Sequence, residues 1–173
     1  MAAVVISDSS PLVHLAAIKR FDLLKNIYGT LVIPTAVWRE VIVAGHGRCG
    51  DMELREAIQD GWISLQDPSQ QNLEKPELRS LDEGEANALA LALDLGADVV
   101  LLDELHGRKA ARAIGLRAVG TLGVLIEAKR QRLLKSFRQE LEKLSRDSQL
   151  QLSDDIKKLA LQMANEFTES DKL

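Results

Sequence analysis

The sequence is poor in the residues that build thiolate and imidazole sites. Its single cysteine, Cys49, lies in a glycine-rich stretch and has no partner for a disulfide or a Cys-x-x-Cys zinc site. The three histidines, His14, His46 and His106, have no metal-binding spacing, and we interpret His14 as an ordinary helix residue. Aromatic residues make up only 3% of the chain, which argues against an aromatic platform that stacks nucleic-acid bases.

Long apolar runs and phosphate-binding loops are also absent. No stretch is long enough for a membrane span, and the beginning, MAAVVISDSS, lacks both the basic segment and the apolar core of a signal peptide. We therefore expect a cytoplasmic protein with no membrane contact. The sequence has no Gly-rich loop of the Walker or dinucleotide type, which makes nucleotide hydrolysis by that route improbable. The length of 173 residues and the 46% hydrophobic content suit one globular domain, 1–173.

The charge is unevenly distributed along the chain. The net charge is -4, yet the segment 106–138 contains nine lysines or arginines and a single acid, Glu127. Such a basic segment has two interpretations: it is a solvated set of helix faces, or it contacts nucleic acid. The charge alone favours the solvated faces.

Apolar strand-like segments alternate with helical ones. AVVIS, TLVIP, WISLQ, DVVLL and LRAVGT have the short, β-branched pattern of strands, and helical segments lie between them. This alternation predicts a three-layer α/β/α fold with a central, mostly parallel sheet. In such sheets ligands bind beyond the carboxyl ends of the strands.

Five acidic residues lie at or near the ends of these elements. Asp8 follows the first strand, Asp103 follows the fourth, and Glu40 lies in the helix after the second. Glu83 and Glu85 begin the Ala-rich helix that precedes the fourth strand. Each position also has an ordinary interpretation, because aspartate caps helices, glutamate faces solvent, and acids favour helix N-termini. Taken together, they predict one acidic crevice.

Clustered carboxylates repel one another and persist together when a hard divalent cation neutralises them. Mg²⁺ and Mn²⁺ prefer oxygen ligands and keep open positions for water and phosphate. The acids therefore predict a Mg²⁺ or Mn²⁺ site suited to the hydrolysis of a phosphodiester bond.

The order of these motifs resembles a known family. The segments VVISDSSPLV, VIPTAVWREV, LDEGEANALALAL, VVLLDE and LRAVGTLGVLIEAK are together similar to the PIN-domain metal-dependent ribonucleases. The resemblance is strongest to the branch of VapC-like toxins of toxin–antitoxin modules. It covers a core of about 3–130, and about 131–173 resembles the helical extension of that branch.

The resemblance implies a role for each acid. The catalytic acids would be Asp8, Glu40, Glu85 and Asp103, and the metal ligands Asp8, Asp103 and Glu85, with Glu83 as the alternative to Glu85. Many members of the family have another acid two residues after the fourth-strand aspartate. Here that position is Leu105, a departure from the pattern, with Glu104 adjacent.

The expected substrate contacts lie beside two of these acids. Ser9 and Ser10 replace the polar neighbour that usually follows the first aspartate. Arg108 and Lys109, on the helix after Asp103, lie where they could meet a substrate phosphate.

These features predict a metal-dependent endoribonuclease that cleaves single-stranded RNA, as the toxin of a toxin–antitoxin module. The alternatives are a catalytically weak PIN-like module that binds a protein, and, less favoured, another acid-rich α/β phosphotransfer protein. The resemblance also implies a homodimer and an antitoxin partner.

The tail segment SDDIKKLALQMANEF carries an apolar stripe, Ile156, Leu159, Met163 and Phe167, which must be buried in the core or against a partner.

Overall fold

The computed structural model describes residues 3–45 and 47–172, and five strands are found there. The strands are β1 Val5–Ser7, β2 Leu31–Ile33, β3 Ile63–Leu65, β4 Val99–Leu101 and β5 Ala118–Val119. They form a sheet in the order β3-β2-β1-β4-β5 in which every pairing is parallel. The WISLQ segment forms β3, which lies at one edge of the sheet.

Ten α-helices are present in the described residues. They are α1 Ser9–Ala17, α2 Asp22–Tyr28, α3 Thr35–Trp38, α4 Asp51–Gln59, α5 Gln70–Leu73, α6 Glu83–Leu95, α7 Leu105–Ala113, α8 Thr121–Arg130, α9 Phe137–Asp147 and α10 Asp154–Met163. A π-helix, Arg39–Ala44, continues α3, and short 3-10 helices span Pro76–Leu78 and Glu169–Lys172. No helix in these ranges is both long and apolar enough to cross a membrane.

The sheet is buried on both faces, which explains its continuous apolar strands. Successive residues of a strand point to opposite faces, so Val5 packs into one core and Ile6 into the other. The first core includes side chains from α1, α2, α4 and α8–α10, and the second is built mainly from α6 and α7. The predicted three-layer α/β/α architecture is confirmed.

Two local features differ from what the sequence suggests. Serines that precede a helical pattern commonly cap it, which suggests Ser9 or Ser10 as the cap of α1, but Ser9 is already helical and Asp8 occupies the N-cap position. The polar composition of segment 67–80 suggests a loop, but it contains α5 and the 3-10 helix Pro76–Leu78. Ser69 caps α5 by accepting a hydrogen bond from the Asn72 amide, a signal that serine commonly provides at a helix start.

The C-terminal helices pack onto the first core. Phe137 and Leu144 of α9 and Leu161 of α10 belong to the same buried cluster as Leu12 of α1. The side chain of Glu140, 3% exposed, accepts a hydrogen bond of 2.7 Å from Arg20, which joins α9 to the segment between α1 and α2. The boundary between core and extension near residue 130 stays a prediction.

The apolar stripe of the tail is only partly buried. Phe167 packs against the core, and Ser153 caps α10 by accepting a hydrogen bond from the Ile156 amide. Ile156, Leu159 and Met163, in contrast, are 47%, 56% and 60% exposed. The interpretation that the whole stripe joins the domain's own core is therefore wrong, because the inward face is formed by Ala160 and Leu161 of α10 and by Ala164, which directly follows the helix.

Candidate functional site

The topology brings the two strand-end aspartates to one edge of the sheet. Asp8 directly follows β1, and Asp103 lies two residues beyond β4. β1 and β4 are parallel neighbours in which Ser7 pairs with Leu101, and the Asp8 amide donates to the Leu101 carbonyl at 3.0 Å. Both acids therefore leave the sheet at its carboxyl edge, where α/β proteins bind ligands.

Neither aspartate caps the helix that directly follows it in the sequence. Asp8 occupies the N-cap position of α1, but its side chain makes no capping hydrogen bond with the described start of that helix. The residue at the N-cap of α7 is Glu104 rather than Asp103. Asp82, in contrast, caps α6, because its Oδ1 accepts a 2.8 Å hydrogen bond from the Glu85 amide. The capping explanation of Asp8 and Asp103 is therefore wrong.

Asp8 and Glu85 are buried carboxylates with strongly shifted acidity. Burial raises the pKa of Asp8 to about 7; the Ser9 amide opposes this rise, and the negative charges of Glu40, Asp82 and Glu85 add to it. Burial also raises the pKa of Glu85 to about 7, with further contributions from Asp82, Glu104 and Glu40. The charges of Glu40 and Asp82 act on both Asp8 and Glu85, which is consistent with one acidic cluster formed by these four residues.

Glu40 joins this cluster from the π-helix that continues α3. π-Helical turns are rare and often occur at functional sites. The Ser9 hydroxyl donates a 2.6 Å hydrogen bond to Glu40 Oε2. Burial raises the pKa of Glu40, while the hydrogen bonds from Ser9 and the Gly84 amide lower it. Ser9 thus holds a carboxylate in place on a neighbouring helix.

Two glycines make room for these acids. A Cβ atom on Gly84 would lie 2.9 Å from Glu40 Cδ, and one on Gly107 would lie 2.5 Å from Glu85 Oε1. Both distances are too short for carbon–carbon or carbon–oxygen contact, so any larger side chain would displace the acid. The glycines at the start of α6 and in α7 are therefore part of the site's geometry.

The donor set suits a hard divalent cation. Asp8 Oδ1 and Glu85 Oε1 are buried, and neither has a hydrogen-bond partner among the described residues. Buried polar atoms are rarely left unsatisfied, and carboxylate oxygens are the ligands that Mg²⁺ prefers. In the described ranges, no group of three or more His, Cys, Asp or Glu side chains is close enough to hold a metal ion by itself. Bound Mg²⁺ would therefore retain several waters, as it usually does in proteins.

Asp103 has a different environment from the other acids. Its Oδ1 accepts a 2.7 Å hydrogen bond from the Thr121 amide, and its Oδ2 lies 2.7 Å from Thr121 Oγ1 and 2.9 Å from His14 Nδ1. The side chain is 6% exposed. Both carboxylate oxygens are therefore occupied, whereas Asp8 and Glu85 each retain an unpaired oxygen.

A cleft of about 790 Å³ opens beside Asp103. Its basic lining comes from one face of α7, with Arg108, Lys109 and Arg112. Ser10 and His14 of α1 lie on another side, and the segment 149–152 with Ile156 closes it from the tail. A cleft with three cations next to an acidic cluster could hold a polyanion while its reacting bond lies near the acids.

Glu83 and Leu105 lie at the surface, in contrast to the buried acids. Glu83 is exposed at the first turn of α6, where its charge helps raise the pKa of Glu40, whereas Glu85 is buried. Leu105 is 67% exposed. The structure thus brings Asp8, Glu40 and Glu85 together and leaves Glu83 at the rim.

Three residues of the site were not predicted: Asp82, His14 and Thr121. The spacing of Asp82, three residues before Glu85, is typical of an N-cap and could have identified it. The prediction that His14 is a helix residue is confirmed, since it lies in α1, but the sequence did not reveal that its Nδ1 contacts Asp103 across 89 positions. No local pattern reveals that contact or the one with Thr121.

An all-parallel α/β sheet with acids at its carboxyl edge describes a class of proteins rather than one family. A family model described as a PIN domain, DUF3368, matches residues 4–166. The chain therefore belongs to the PIN-domain family. PIN domains are typically nucleases and typically use divalent metal ions.

A solved structure has the same fold. It is a PilT N-terminus domain protein, SSO1118, from the hyperthermophilic archaeon Sulfolobus solfataricus P2. The two structures have a TM-score of 0.55 and 17% sequence identity, and the match covers 72% of this chain and 92% of that one. Identity this low shows the fold alone. A comparison with curated proteins found no match.

Proposed function

We propose that this protein is a divalent-metal-dependent endoribonuclease that hydrolyses phosphodiester bonds of single-stranded RNA. The observation that carries the proposal is the pair Asp8 and Glu85, each buried, each with a pKa raised to about 7, and each with an oxygen that lacks a partner in the described residues. A hard cation would offset the cost of ionising these carboxylates. Membership of the PIN-domain family supports a nuclease.

We assign the cation site to Asp8 and Glu85, with Glu40 beside them. Bound Mg²⁺ or Mn²⁺ would lower the pKa of a coordinated water and offset the charge of the scissile phosphate. Glu40, held by Ser9, is placed to accept a hydrogen bond from a water in the site. Asp103 was expected to bind metal, but its occupied oxygens favour a role in positioning His14 and the start of α8.

The RNA backbone would lie in the cleft beside Asp103. Arg108 and Lys109 line it and supply the positive charge that a phosphate backbone attracts. Ser10 faces the same cleft, whereas Ser9 is engaged with Glu40. We therefore assign Ser10, Arg108 and Lys109 to substrate binding and Ser9 to the orientation of Glu40.

The decisive experiment is cleavage of a mixed RNA pool with Mg²⁺, Mn²⁺ or EDTA. We expect cleavage that requires the metal and falls at least 100-fold in Asp8→Asn and Glu85→Gln. Asp60→Asn and Glu56→Gln change exposed acids away from the site and are the matched controls, which should retain activity. Equal cleavage by Asp8→Asn and the native protein would indicate a contaminating nuclease and contradict the proposal.

A non-catalytic PIN-like module that binds a protein is the second candidate. Leu105 favours it, because many PIN domains have an acid at that position, and here the side chain is apolar and 67% exposed. Such a module would bind a partner but leave the RNA pool intact in every metal. The phosphotransfer alternative receives no support from the family assignment.

We also propose that the protein is the toxin of a toxin–antitoxin module and forms a homodimer. The support is the resemblance of its motif order to VapC-like toxins and the exposed apolar side chains Leu159 and Met163, which a second copy could cover. A small antitoxin-like reading frame next to the gene, and relief of growth arrest by its co-expression, would support the toxin role. Light scattering that shows a monomer at high concentration would contradict the homodimer.

A further inference from the structure

His14 is placed at the cleft in a defined orientation. It lies on α1 one turn after Ser10, lines the cleft, and has a side chain that is 13% exposed. Its Nδ1 lies 2.9 Å from Asp103 Oδ2, while its Nε2 has no hydrogen bond to the described residues. One ring nitrogen is thus held by the protein, and the other is left for a ligand.

The contacts of Asp103 decide which nitrogen carries the hydrogen in the neutral ring. The Thr121 amide can only donate, so Asp103 Oδ1 accepts from it. An ionised carboxylate accepts at both oxygens, which makes His14 Nδ1 the donor to Oδ2. In a neutral imidazole with hydrogen on Nδ1, Nε2 is an acceptor.

An acceptor nitrogen at His14 Nε2 differs chemically from the basic side chains around it. Arg108, Lys109 and Arg112 offer donors only, which suit phosphate oxygens. Two acids line the cleft: Asp103 has both carboxylate oxygens engaged by His14 and Thr121, and Glu104 is exposed and therefore solvated. The backbone of RNA carries one hydroxyl donor at each nucleotide, the 2′-hydroxyl, and the backbone of DNA carries none. Only RNA bound along these cations could therefore donate a backbone hydrogen bond to His14 Nε2.

We propose that His14 Nε2 accepts a hydrogen bond from a ribose 2′-hydroxyl and makes the cleft selective for RNA over DNA. This inference rests on the proposed function and specifies which part of the substrate the cleft recognises. Asp103 and Thr121 are positioning residues in this arrangement, because they fix the ring without touching the sugar.

The test uses an all-ribose oligonucleotide with a mapped cleavage site and a series in which one nucleotide at a time is 2′-deoxy. Binding is measured by fluorescence anisotropy in EDTA, and cleavage in Mg²⁺. All assays are run at pH 8. We expect one 2′-deoxy substitution to weaken binding by the native protein about 5- to 10-fold, the effect of one neutral hydrogen bond.

The variant His14→Asn retains a donor that can face Asp103 but has no group in the place of Nε2. It should bind the all-ribose and the 2′-deoxy oligonucleotides equally, whereas the matched control His106→Ala should discriminate as the native protein does. His106 lies outside the cleft and contacts Ser80. His14→Ala should also bind the all-ribose and the 2′-deoxy oligonucleotides equally, and it tests the loss of Nε2 without placing an asparagine amide in the pocket.

The outcomes separate this inference from the proposed function. Native protein that binds RNA but cleaves none would contradict the nuclease, and its binding would still report on His14. Sensitivity to the 2′-deoxy position that persists in His14→Asn would overturn the role of His14, whatever the activity. Native protein that treats every 2′-deoxy oligonucleotide like the all-ribose one would overturn it as well.

Discussion

Glu85 Oε1 lies 2.5 Å from the point that a Cβ atom on Gly107 would occupy. The two residues belong to different helices, α6 and α7, and the carboxylate fills the space that the missing side chain leaves. Leu102 Cδ2 lies 3.0 Å from the same point, so an added methyl group has no room on either side. Gly107 therefore permits both the helix packing and the position of the buried acid.

We predict that Gly107→Ala destabilises the protein by about 1–3 kcal/mol, the usual range for overpacking, although alanine is the better helix former. The displaced Glu85 should also lower metal-dependent cleavage. Chemical denaturation measures the loss of stability. The control is the same substitution in Glu85→Ala protein, where the carboxylate is gone and the cost should fall. An equal cost in both backgrounds would show that Glu85 is not what the methyl group displaces.

The raised pKa values of Asp8 and Glu85 predict a pH-dependent stability for the metal-free protein. Both acids titrate near 4 in the unfolded chain and near 7 in the folded one. Their contribution to stability is therefore fully present below about pH 4 and is lost as the pH rises through about 7. We predict that the Tm in EDTA falls over this range and that Mg²⁺ restores it at pH 8.

Asp8→Asn removes one of the two titrations and is the sharper form of this experiment. At pH 8 without metal, the variant should be more stable than the native protein by ~1–3 kcal/mol, a rise of roughly 2–4 °C in Tm for each kcal/mol. At pH 4 the two should unfold alike. If the variant is less stable than the native protein at pH 8, the ionised, buried Asp8 does not destabilise the folded protein.

Much of this site follows from chain order, and the rest does not. Asp8 and Asp103 could be placed at one edge because parallel neighbouring strands end together, and Glu85 because it opens the intervening helix. The contact of His14 with Asp103 depends on the approach of α1 to the end of β4, which no periodicity encodes. The exposed Leu159 was equally unpredictable, since an apolar stripe indicates a face but not what covers it.

The ion pair between Arg20 and Glu140 should be important for docking the C-terminal extension. Burial alone would raise the pKa of Glu140, but hydrogen bonds from Arg20 and Lys143 hold it below its ordinary value. We predict that Glu140→Ala costs about 2–4 kcal/mol in denaturant unfolding, because it leaves Arg20 without its partner. The exposed pair Arg146 and Asp147 is the control, and Asp147→Ala should change stability by less than about 1 kcal/mol.

Arg108 and Lys109 should give RNA binding its dependence on salt. Each phosphate contact on a single strand adds about 0.7 to the slope of the logarithm of affinity against the logarithm of salt concentration. We predict that Arg108→Gln and Lys109→Gln each weaken binding and reduce that slope by roughly 0.7, because each removes one cation from the cleft. Arg130→Gln changes an exposed arginine that pairs with Glu127 and does not line the cleft, so it should leave the slope unaltered. Anisotropy titrations from low to physiological salt measure all three variants, and equal slopes for Arg108→Gln and the native protein would place the RNA elsewhere on the surface.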